Sequence, residues 1–416
     1  MKRYDSYKDS GVQWIEKIPS HWTSVPIKYS VNSPYNSFID GDWIESNVIV
    51  SDGIRYLTTG NVGVLKYKEQ GNGFISEATF EKLNCAEVFP GDLLISRLND
   101  PIGRTCMVPN LGYRIVVAVD NVIYRPNENL YDKQFLVYQM NCKPYADSAN
   151  FIARGSTMPR ISRTTLGQFK IIVPPIGEQQ AIASYLDKRC GEIDKAIAKQ
   201  QKRIELLQEL RQSIITNAVT RGINPDASLK DSGVEWIGEV PSHWEVIPFK
   251  RIMRIKNGQD YKDFAEEDGY PVVGSGGCFA YCSKYIYDGE AILLGRKGTI
   301  DKPLYINGKF WTVDTMFYAY PKTSSNIKFM YYQSLTIPFD KYKTSTALPS
   351  MTQTDLGYNI FCVPPIGEQQ AIASYLDKRC EEIDKAIAKQ QKRIELLQEL
   401  KQSIITEVVT GKRKVC

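Results

Sequence analysis

The sequence has few of the residues and segments that mark catalytic, secreted or membrane proteins. Its 416 residues include only two histidines, His21 and His243, and no GxxxxGK[ST] loop for nucleotide phosphates. No apolar run is long enough to cross a bilayer, and the N-terminus lacks the apolar stretch of a secretory signal. The nine cysteines follow no regular framework, so we expect free thiols. These absences predict a cytoplasmic protein with no readable catalytic triad or metal cluster.

The charge is close to balanced overall but unevenly distributed. The formal net charge is +5 and the sequence pI about 8.5, which is a weak indication of a polyanionic partner. Two stretches, residues 148–177 and 341–354, contain basic residues but no acidic ones. The first contains Arg154, Arg160 and Arg163. Solvated basic loops would explain either stretch alone, but their equivalent places before a repeated segment favour a shared role.

What the sequence does contain is a pair of internal repeats. A long repeat of 43 residues occupies 174–216 and returns at 364–406 with two changes, Gly191 to Glu381 and Arg211 to Lys401. A short repeat, KDSGVQWIEKIPSHWTSVPIK at 8–28, returns as KDSGVEWIGEVPSHWEVIPFK at 230–250. Core packing alone tolerates swaps of similar volume. Near-identity therefore indicates a recent duplication or a surface that must be presented twice.

Each long repeat predicts a helix with an interhelical seam. After Pro-Pro, the Gly-Glu-Gln-Gln segment opens a helical run, and a longer helix follows over about residues 191–219. Apolar residues recur at alternating steps of four and three, which is a heptad pattern. The two helices should pack antiparallel and the chain termini should lie close together. The polar seam positions expected to fix the helix register are Gln200, Arg211, Gln390 and Lys401.

The regions between the repeats, residues 29–173 and 251–363, are here called the first and second heads. They differ in sequence but carry equivalent strand patterns, at 92–97 and 115–119 in the first head and at 291–296 and 317–320 in the second. Residues 91–97 match 289–296 with one insertion, and residues 119–124 match 313–318. The two heads should therefore share a fold but little sequence.

The order short repeat, head, long repeat, present twice, resembles the specificity subunit of type I restriction–modification systems. The resemblance rests on GVxWIxxxPxHW at the start of each half and on LG…VPPIGEQQAIASYLD before each long helix. It implies an α+β fold: two mixed α/β target-recognition domains joined by two long antiparallel helices in a coiled-coil-like spacer, pseudo-two-fold and nearly circular. The domains are expected at 1–176 and 223–366, with long-helix regions at 177–222 and 367–416.

By this resemblance, each head reads one half of a bipartite site in double-stranded DNA. Arginine, lysine and small polar side chains are suited to contacts with bases and phosphates. The candidate DNA contacts in the first head are Arg97, Asn99, Arg104, Arg154, Thr157 and Arg160, and those in the second are Ser275, Arg296, Lys297, Lys341, Lys343 and Thr344.

The resemblance also implies that the long repeats bind two modification methyltransferase subunits and that restriction or translocase subunits join them. The candidate partner contacts are Glu178, Gln179, Tyr185, Leu206 and Leu210, with their copies Glu368, Gln369, Tyr375, Leu396 and Leu400. S-adenosylmethionine, ATP and Mg would belong to the partner subunits, and this chain would carry no cofactor and no catalytic residue.

Two other classes remain open from the sequence. The chain could be a scaffold that binds only proteins, since the charge of both heads is near neutral. It could also be a self-sufficient DNA methyltransferase, although cofactor motifs are missing. Salt-dependent binding to duplex DNA would separate DNA recognition from a scaffold, and methyl transfer by the chain alone would indicate the methyltransferase.

Overall fold

The computed structural model describes residues 3–98, 101–153, 155, 158–342 and 349–415, apart from the side chains at positions 34 and 35. Contacts divide the chain into two units. Unit 1 contains Met1–Lys199 and Arg393–Cys416, and unit 2 contains Gln200–Lys392. Each unit therefore combines one head with parts of both long helices. The eight cysteines among the described residues are free thiols, as the sequence predicts.

In the first half of the chain, short strands precede a long helix. The strands are β1 (Tyr7–Val12), β2 (Ile15–Pro19), β3 (Thr23–Pro26), β4 (Phe38–Asp40), β5 (Ile54–Leu57), β6 (Phe74–Ile75), β7 (Leu93–Ser96), β8 (Thr105–Met107), β9 (Ile115–Val117), β10 (Asn121–Tyr124) and β11 (Lys170–Val173). The helices are α1 (Pro34–Ser37), α2 (Glu77–Leu83), α3 (Lys133–Met140), α4 (Lys143–Ile152), α5 (Arg163–Gln168) and α6 (Ile176–Arg221).

The second half repeats this order with a larger set of strands. They are β12 (Leu229–Asp231), β13 (Glu239–Pro241), β14 (Glu245–Pro248), β15 (Met253–Asn257), β16 (Ala265–Glu266), β17 (Tyr270–Gly274), β18 (Gly277–Cys282), β19 (Tyr287–Asp288), β20 (Ala291–Gly295), β21 (Leu304–Ile306), β22 (Lys309–Thr312), β23 (Met316–Pro321) and β24 (Ile360–Val363). The helices are α7 (Phe249–Ile252), α8 (Ile327–Ser334), α9 (Gln353–Tyr358) and α10 (Ile366–Val409).

The two heads are built on the same sheet topology. The order β4-β10-β7-β8 in the first head corresponds to β15-β23-β20-β21 in the second, and β5 pairs in parallel with β9 as β17 does with β22. At the same point of each fold, a Cβ added to Gly41 or Gly258 would lie 2.3 or 2.1 Å from a backbone carbonyl oxygen, so only glycine fits there. The predicted shared fold is confirmed.

The structure corrects one sequence correspondence by a single residue. The Gly41 N–H donates to the Asn121 carbonyl oxygen, and the Gly258 N–H donates to the Met316 carbonyl oxygen. Asn121 therefore matches Met316, whereas the sequence comparison pairs Asn121 with Thr315. The equivalence of Arg97 and Arg296 is retained, because both directly follow the equivalent strands β7 and β20. The pairing register of the strands fixes this alignment. Sequence comparison alone could not, because neighbouring apolar residues of a strand resemble one another too closely.

The long helices are longer than predicted and pack antiparallel within each unit. Helix α6 is continuous from Ile176, so the predicted separation of a short helical run from a helix starting near residue 191 is wrong. In unit 1 the start of α6, with Ile182 and Leu186, shares a core with the end of α10, with Ile405 and Val408. In unit 2 the end of α6 packs in the same way against the start of α10.

Two of the polar seam residues on the long helices make ion pairs between the helices. In unit 1 the Lys401 Nζ lies 2.7 Å from an Asp194 carboxylate oxygen. In unit 2 the Arg211 Nε lies 3.3 Å from an Asp384 carboxylate oxygen. The two pairs occupy equivalent positions of the repeat and join antiparallel helices in each unit. Gln200 is buried and accepts from Arg203 on its own helix, so its contribution to the seam is packing.

The chain termini meet within unit 1. The Tyr7 hydroxyl donates to the Gly411 carbonyl oxygen at 3.0 Å, and the Lys414 ammonium lies 5.6 Å from the centre of the Tyr4 ring. Gly411 follows the end of α10 with a positive φ of 72°, which a glycine adopts without strain. The predicted proximity of the two ends of the chain is confirmed.

Candidate nucleic-acid interface

The repeated dipeptide Glu-Gln at the start of each long helix forms an internal joint. Glu178 accepts from the His21 Nε2 at 2.9 Å and from the Trp22 Nε1 at 3.1 Å, and the Tyr4 hydroxyl donates to the same carboxylate. Trp22 is fully buried. The short repeat thus binds the long repeat through one carboxylate, and His21 has a structural role in this joint.

The second copy repeats this joint with fewer donors. Glu368 accepts from the His243 Nε2 at 2.7 Å and from the Trp244 Nε1 at 3.0 Å. The Glu368 side chain is 43% exposed, against 11% for Glu178. The same sequence therefore makes a tighter joint in unit 1, where the tyrosine near the N-terminus adds a third donor.

The glutamines of the same dipeptide attach each head to its long helix. The Gln179 side chain accepts from the Asp132 backbone N–H at 2.9 Å and donates to the Pro174 carbonyl oxygen at 2.8 Å. Gln369 makes the equivalent bonds, with Asn326 at 2.9 Å and with a proline carbonyl oxygen. Asp132 and Asn326 are the N-caps of α3 and α8, so each glutamine orients a helix of its head.

These contacts correct part of the predicted partner surface. Gln179 and Gln369 are 1% and 2% exposed, and Glu178 is largely covered, so these side chains are engaged inside the protein. Tyr185 is half-buried, with the Arg413 guanidinium 5.7 Å from its ring centre. Part of the near-identity of the long repeats therefore reflects an internal joint, which motif reading alone could not distinguish from a docking face.

The leucines of the predicted partner surface are exposed in both copies. Leu206 and Leu210 are 51% and 46% exposed, and Leu396 and Leu400 are 51% and 47% exposed. Each pair is separated by four residues and so lies on one face of its helix. Ile215, further along the same helix, is fully buried in unit 2. Tyr375 is also 40% exposed.

In the first head, the fold brings two of the predicted DNA-contact stretches together. Leu98 and Arg160 form an isolated β-bridge, and the Ile161 N–H donates to the Arg97 carbonyl oxygen at 3.1 Å. Arg160 is exposed, with its guanidinium 3.1 Å from Asp120. Asn99, Arg154 and Thr157 lie outside the described residues. The loop after β7 and the basic stretch before the long repeat therefore form one surface.

Two arginines of this surface are engaged internally, which corrects the expectation that they face DNA. Arg97 is 8% exposed; its guanidinium donates to the Val119 carbonyl oxygen at 2.6 Å and lies 3.3 Å from Asp40 and 3.8 Å from Asp120. Arg104 donates to four backbone carbonyl oxygens in two separate segments, residues 59–62 and 98–101, at 2.6 to 3.2 Å. Both side chains hold the loop in shape, since their donors are directed into the domain.

The second head brings the equivalent segments together. The Gly298 N–H donates to the Pro349 carbonyl oxygen at 2.9 Å, and the Met351 N–H donates to the Arg296 carbonyl oxygen at 2.9 Å. Lys297 is exposed, and Arg296 is half-buried with one bond to the Asp314 carbonyl oxygen at 3.2 Å. This loop resembles its counterpart in the first head but leaves more charge at the surface.

The remaining candidates of the second head are more dispersed along the chain. Ser275 lies in the turn between β17 and β18, in a different sheet from the strand that precedes Arg296. Lys341 is exposed on a 3-10 turn over Phe339–Tyr342. Lys343 and Thr344 lie outside the described residues. Only Arg296 and Lys297 are thus placed beside the segment that precedes α9.

The second head and the adjoining end of its short repeat also carry exposed cations that motif reading missed. They are Lys250, Arg254, Lys256 and Lys322, near β15 and α9. A signal was present in the sequence, because Arg254 and Lys256 alternate with the apolar Met253 and Ile255 along a strand.

Two stretches of the chain, residues 42–208 and 241–398, each match the family described as the type I restriction modification DNA specificity domain. The chain belongs to this family. The family resemblance seen in the repeats is thereby confirmed, as is the prediction of a DNA-specificity chain, and a protein-only scaffold is not favoured. Each matched stretch combines most of one head with part of a long helix.

Similar members of the specificity family are found in Methanocaldococcus jannaschii. The chain is 24% identical to the type I restriction enzyme MjaVIII specificity subunit over 336 residues, 73% of this chain and 76% of that one. It is 21% identical to the MjaIX specificity subunit over 383 residues, 84% of each chain. A chain solved in a study of complex assembly and conformational transition of the type I R-M system matches with a TM-score of 0.70 at 15% identity. That match covers 96% of this chain and all of the other, and it shows the same fold.

Among residues 3–98, 101–153, 155, 158–342 and 349–415, no group of three or more histidine, cysteine, aspartate or glutamate side chains is placed to hold a metal ion. Within the same described part of the specificity chain, no helix is both long and apolar enough to span a membrane.

Proposed function

We propose that this chain selects the DNA sequence on which a type I restriction–modification complex acts, and that each head reads one half of a bipartite duplex site. The short and long repeats together form one frame, present twice with equivalent joints at Glu178 and Glu368. The observation that carries the proposal is that this duplicated frame holds two heads of common topology and different surfaces. A frame that repeats while its heads diverge is suited to presenting two different recognition surfaces.

The bases would be read from the surface formed by the loop after β7 or β20 and the segment before the long repeat. Arg160 in the first head and Arg296 and Lys297 in the second are the described candidates whose donors reach the surface. Arginine can donate two hydrogen bonds to guanine in the major groove, whereas lysine also suits phosphate. The buried Arg97 and the loop-bound Arg104 would act as positioning residues.

The long helices would bind two modification methyltransferase subunits and set the separation between the two half-sites. The pairs Leu206–Leu210 and Leu396–Leu400 support this role, because an apolar pair exposed to almost the same extent in both copies fits two identical partners. Restriction or translocase subunits would join the assembly. S-adenosylmethionine, ATP and Mg would be bound by the partners, with no catalytic step in this chain.

The test is an exchange of one head between this chain and another member of the family, at the boundaries of the repeats. The hybrid is produced with its modification subunit in cells that lack other methyltransferases, and methylated sites are mapped by sequencing. We expect one half of the methylated site to change and the other half and the spacing to persist. Exchange of the second head is the matched control and should change the other half. A hybrid that methylates the original complete site would contradict the proposal.

A further inference from the structure

A basic groove of about 560 Å³ lies in the second head beside strand β15 and helix α9. Its lining includes four cationic side chains, Lys250, Arg254, Lys256 and Lys322, and the structure places no carboxylate among the described residues that line it. The acid of the adjacent helix, Asp355, accepts from the Thr352 hydroxyl at 2.6 Å, so its charge is engaged at the start of that helix. The groove therefore concentrates positive charge on one face of the domain.

The strand pattern explains why the cations reach the surface. Along β15, Met253 and Ile255 are buried in the core, so the alternating Arg254 and Lys256 point outward. The strand pairs with β23 on one side and forms the edge of its sheet. Cationic side chains on an edge strand also discourage pairing with another strand. That purpose alone would not require two further cations from other elements.

Two lysines complete the groove from neighbouring segments. The Lys322 ammonium donates to the Lys250 carbonyl oxygen at 2.6 Å, and the Lys250 ammonium lies 3.4 Å from the centre of the Tyr358 ring. All four cationic side chains are exposed, and none of them makes an ion pair with the residues that the structure describes. The Gln353 side chain donates to the Ile255 carbonyl oxygen at 3.0 Å and fixes α9 against the strand. The charge is therefore held in place but not neutralised.

The first head lacks this groove at the equivalent positions. Sheet register matches Arg254 with Ser37, Lys256 with Ile39 and Lys322 with Asn127, and Lys250 alone has a cationic counterpart, Lys28. Asn257 is replaced by Asp40, and Gln353 is replaced by Arg163. These two first-head residues form an ion pair at 3.1 Å. The same region is thus neutralised in one head and strongly basic in the other.

We propose that this groove binds the phosphate backbone of duplex DNA and gives the second head a sequence-independent anchor that the first head lacks. The inference rests on the proposed function, in which the second head contacts DNA. Lysine and arginine bind phosphate oxygens and release condensed counterions, and polar side chains such as Thr354 in the groove lining can add hydrogen bonds. The second head would hold the duplex while loops of both heads read bases.

The experiment measures how the affinity of the full-length chain for a random-sequence duplex of about 40 base pairs depends on salt. The variant is Arg254→Gln, Lys256→Gln and Lys322→Gln, and the matched control removes three exposed lysines elsewhere in the same head, Lys262→Gln, Lys284→Gln and Lys309→Gln. Each phosphate contact contributes about 0.9 to the slope of log affinity against log salt. We expect the groove variant to reduce the magnitude of the slope by about 2 to 3 and the control to reduce it by under about 1.

Two results would overturn the assignment. Equal slopes for the groove and control variants would show that the groove carries no phosphate contacts. Loss of binding confined to particular sequences recovered from the pool would indicate base contacts in place of phosphate contacts. The double variant Arg254→Gln and Lys256→Gln leaves the Lys322 hydrogen bond intact. It should reduce the magnitude of the slope of log affinity against log salt by about 2. This variant separates the loss of phosphate contacts from a loss of folding. If the unmodified chain shows no salt-dependent binding to duplex DNA, the proposed function itself fails.

Discussion

The two heads differ most in the burial and the charged neighbours of the arginine that follows the equivalent strands β7 and β20. Arg97 and Arg296 both donate to the equivalent backbone carbonyl, that of Val119 or of Asp314. In the first head, Asp40 and Asp120 also face the Arg97 guanidinium, which is buried. In the second head, the residues equivalent to these aspartates are Asn257 and Thr315, and Arg296 is half-exposed. Neighbouring carboxylates therefore decide whether a cation stabilises the loop or remains available to a ligand.

The attachment of each head to its long helix shows the opposite behaviour, because an aspartate of the long repeat receives the same hydrogen bond from a tyrosine of each head. Tyr138 donates to Asp187 at 2.7 Å and Tyr332 donates to Asp377 at 2.8 Å. Burial first, and then each hydrogen bond to a carboxylate, raises the pKa of both phenols. These contacts persist in both units, while the edge strands and loops of the heads vary in charge. Variation is thus concentrated where a DNA sequence would be read.

The largest expected effect compares the two exposed leucine pairs. Leu206→Glu with Leu210→Glu should remove one modification subunit from the complex, and Leu396→Glu with Leu400→Glu should remove the other. Burying an unpaired carboxylate in an apolar interface costs several kcal/mol, so each site should lose at least about 100-fold in affinity. Native mass spectrometry of the complex would count the subunits. Gln201→Glu with Gln208→Glu, at other exposed helix positions, should retain both, and two subunits in every variant would refute this docking surface.

The two loop arginines sharpen the comparison of the heads. Arg97→Ala should destabilise the protein by about 2 kcal/mol, because its buried guanidinium contacts to Asp40 and Asp120 are lost, although each carboxylate keeps one other arginine. Arg296→Ala should cost under about 1 kcal/mol, since the guanidinium is half-exposed and has one backbone bond. Urea unfolding of the full-length variants checks both values. An Arg97→Ala protein of normal stability that accepts additional bases at one position would instead assign Arg97 to direct reading of DNA.

The paired joints allow a smaller and symmetric test. Glu178→Ala should cost about 2 kcal/mol and Glu368→Ala about 1 kcal/mol, because the first carboxylate serves three donors in a covered position and the second serves two in a more exposed one. Thermal unfolding provides the comparison. Glu192→Ala, which removes only a surface pair with Arg189, should be nearly neutral. Equal losses at the two joints would show that Tyr4 contributes nothing.

The smallest effect concerns pH and is confined to the first head. Burial raises the pKa of the Asp42 carboxyl, although the Ala86 N–H opposes the shift. A pKa raised in the folded state means that the ionised group costs stability at neutral pH and that this cost disappears as pH falls through the folded pKa toward 3.8. Asp42→Asn should therefore stabilise by under about 1 kcal/mol at pH 7 and by less at pH 4. Unfolding measurements at both values test this, with the equivalent Gln259→Asn expected to show no such pH dependence.

Much of the architecture could be predicted because it is periodic or repeated. The heptad pattern indicated the long helices, short apolar runs placed β7, β9, β20 and β23, and duplication predicted the meeting of the termini. The four-segment domain boundaries stay a prediction. The site was less accessible: loops around Arg97 and Arg296 were found, but the burial of Arg97 depends on Asp40, 57 residues earlier in the chain. No local pattern reports a charge partner at that distance.

The sequence by itself determined the duplicated frame, the pairing of the long helices and the family, since repeats and apolar periodicity are properties of the chain. Tertiary structure alone decided which polar side chains make their hydrogen bonds inside the protein. Gln179 and Gln369 orient helices of the heads, whereas Leu206 and Leu396 remain exposed within the same repeat. Likewise, only the sheet register gathers Lys250, Arg254, Lys256 and Lys322 into one groove. The physical reason is that hydrogen bonding and charge neutralisation depend on neighbours in space, which residues distant in the sequence supply.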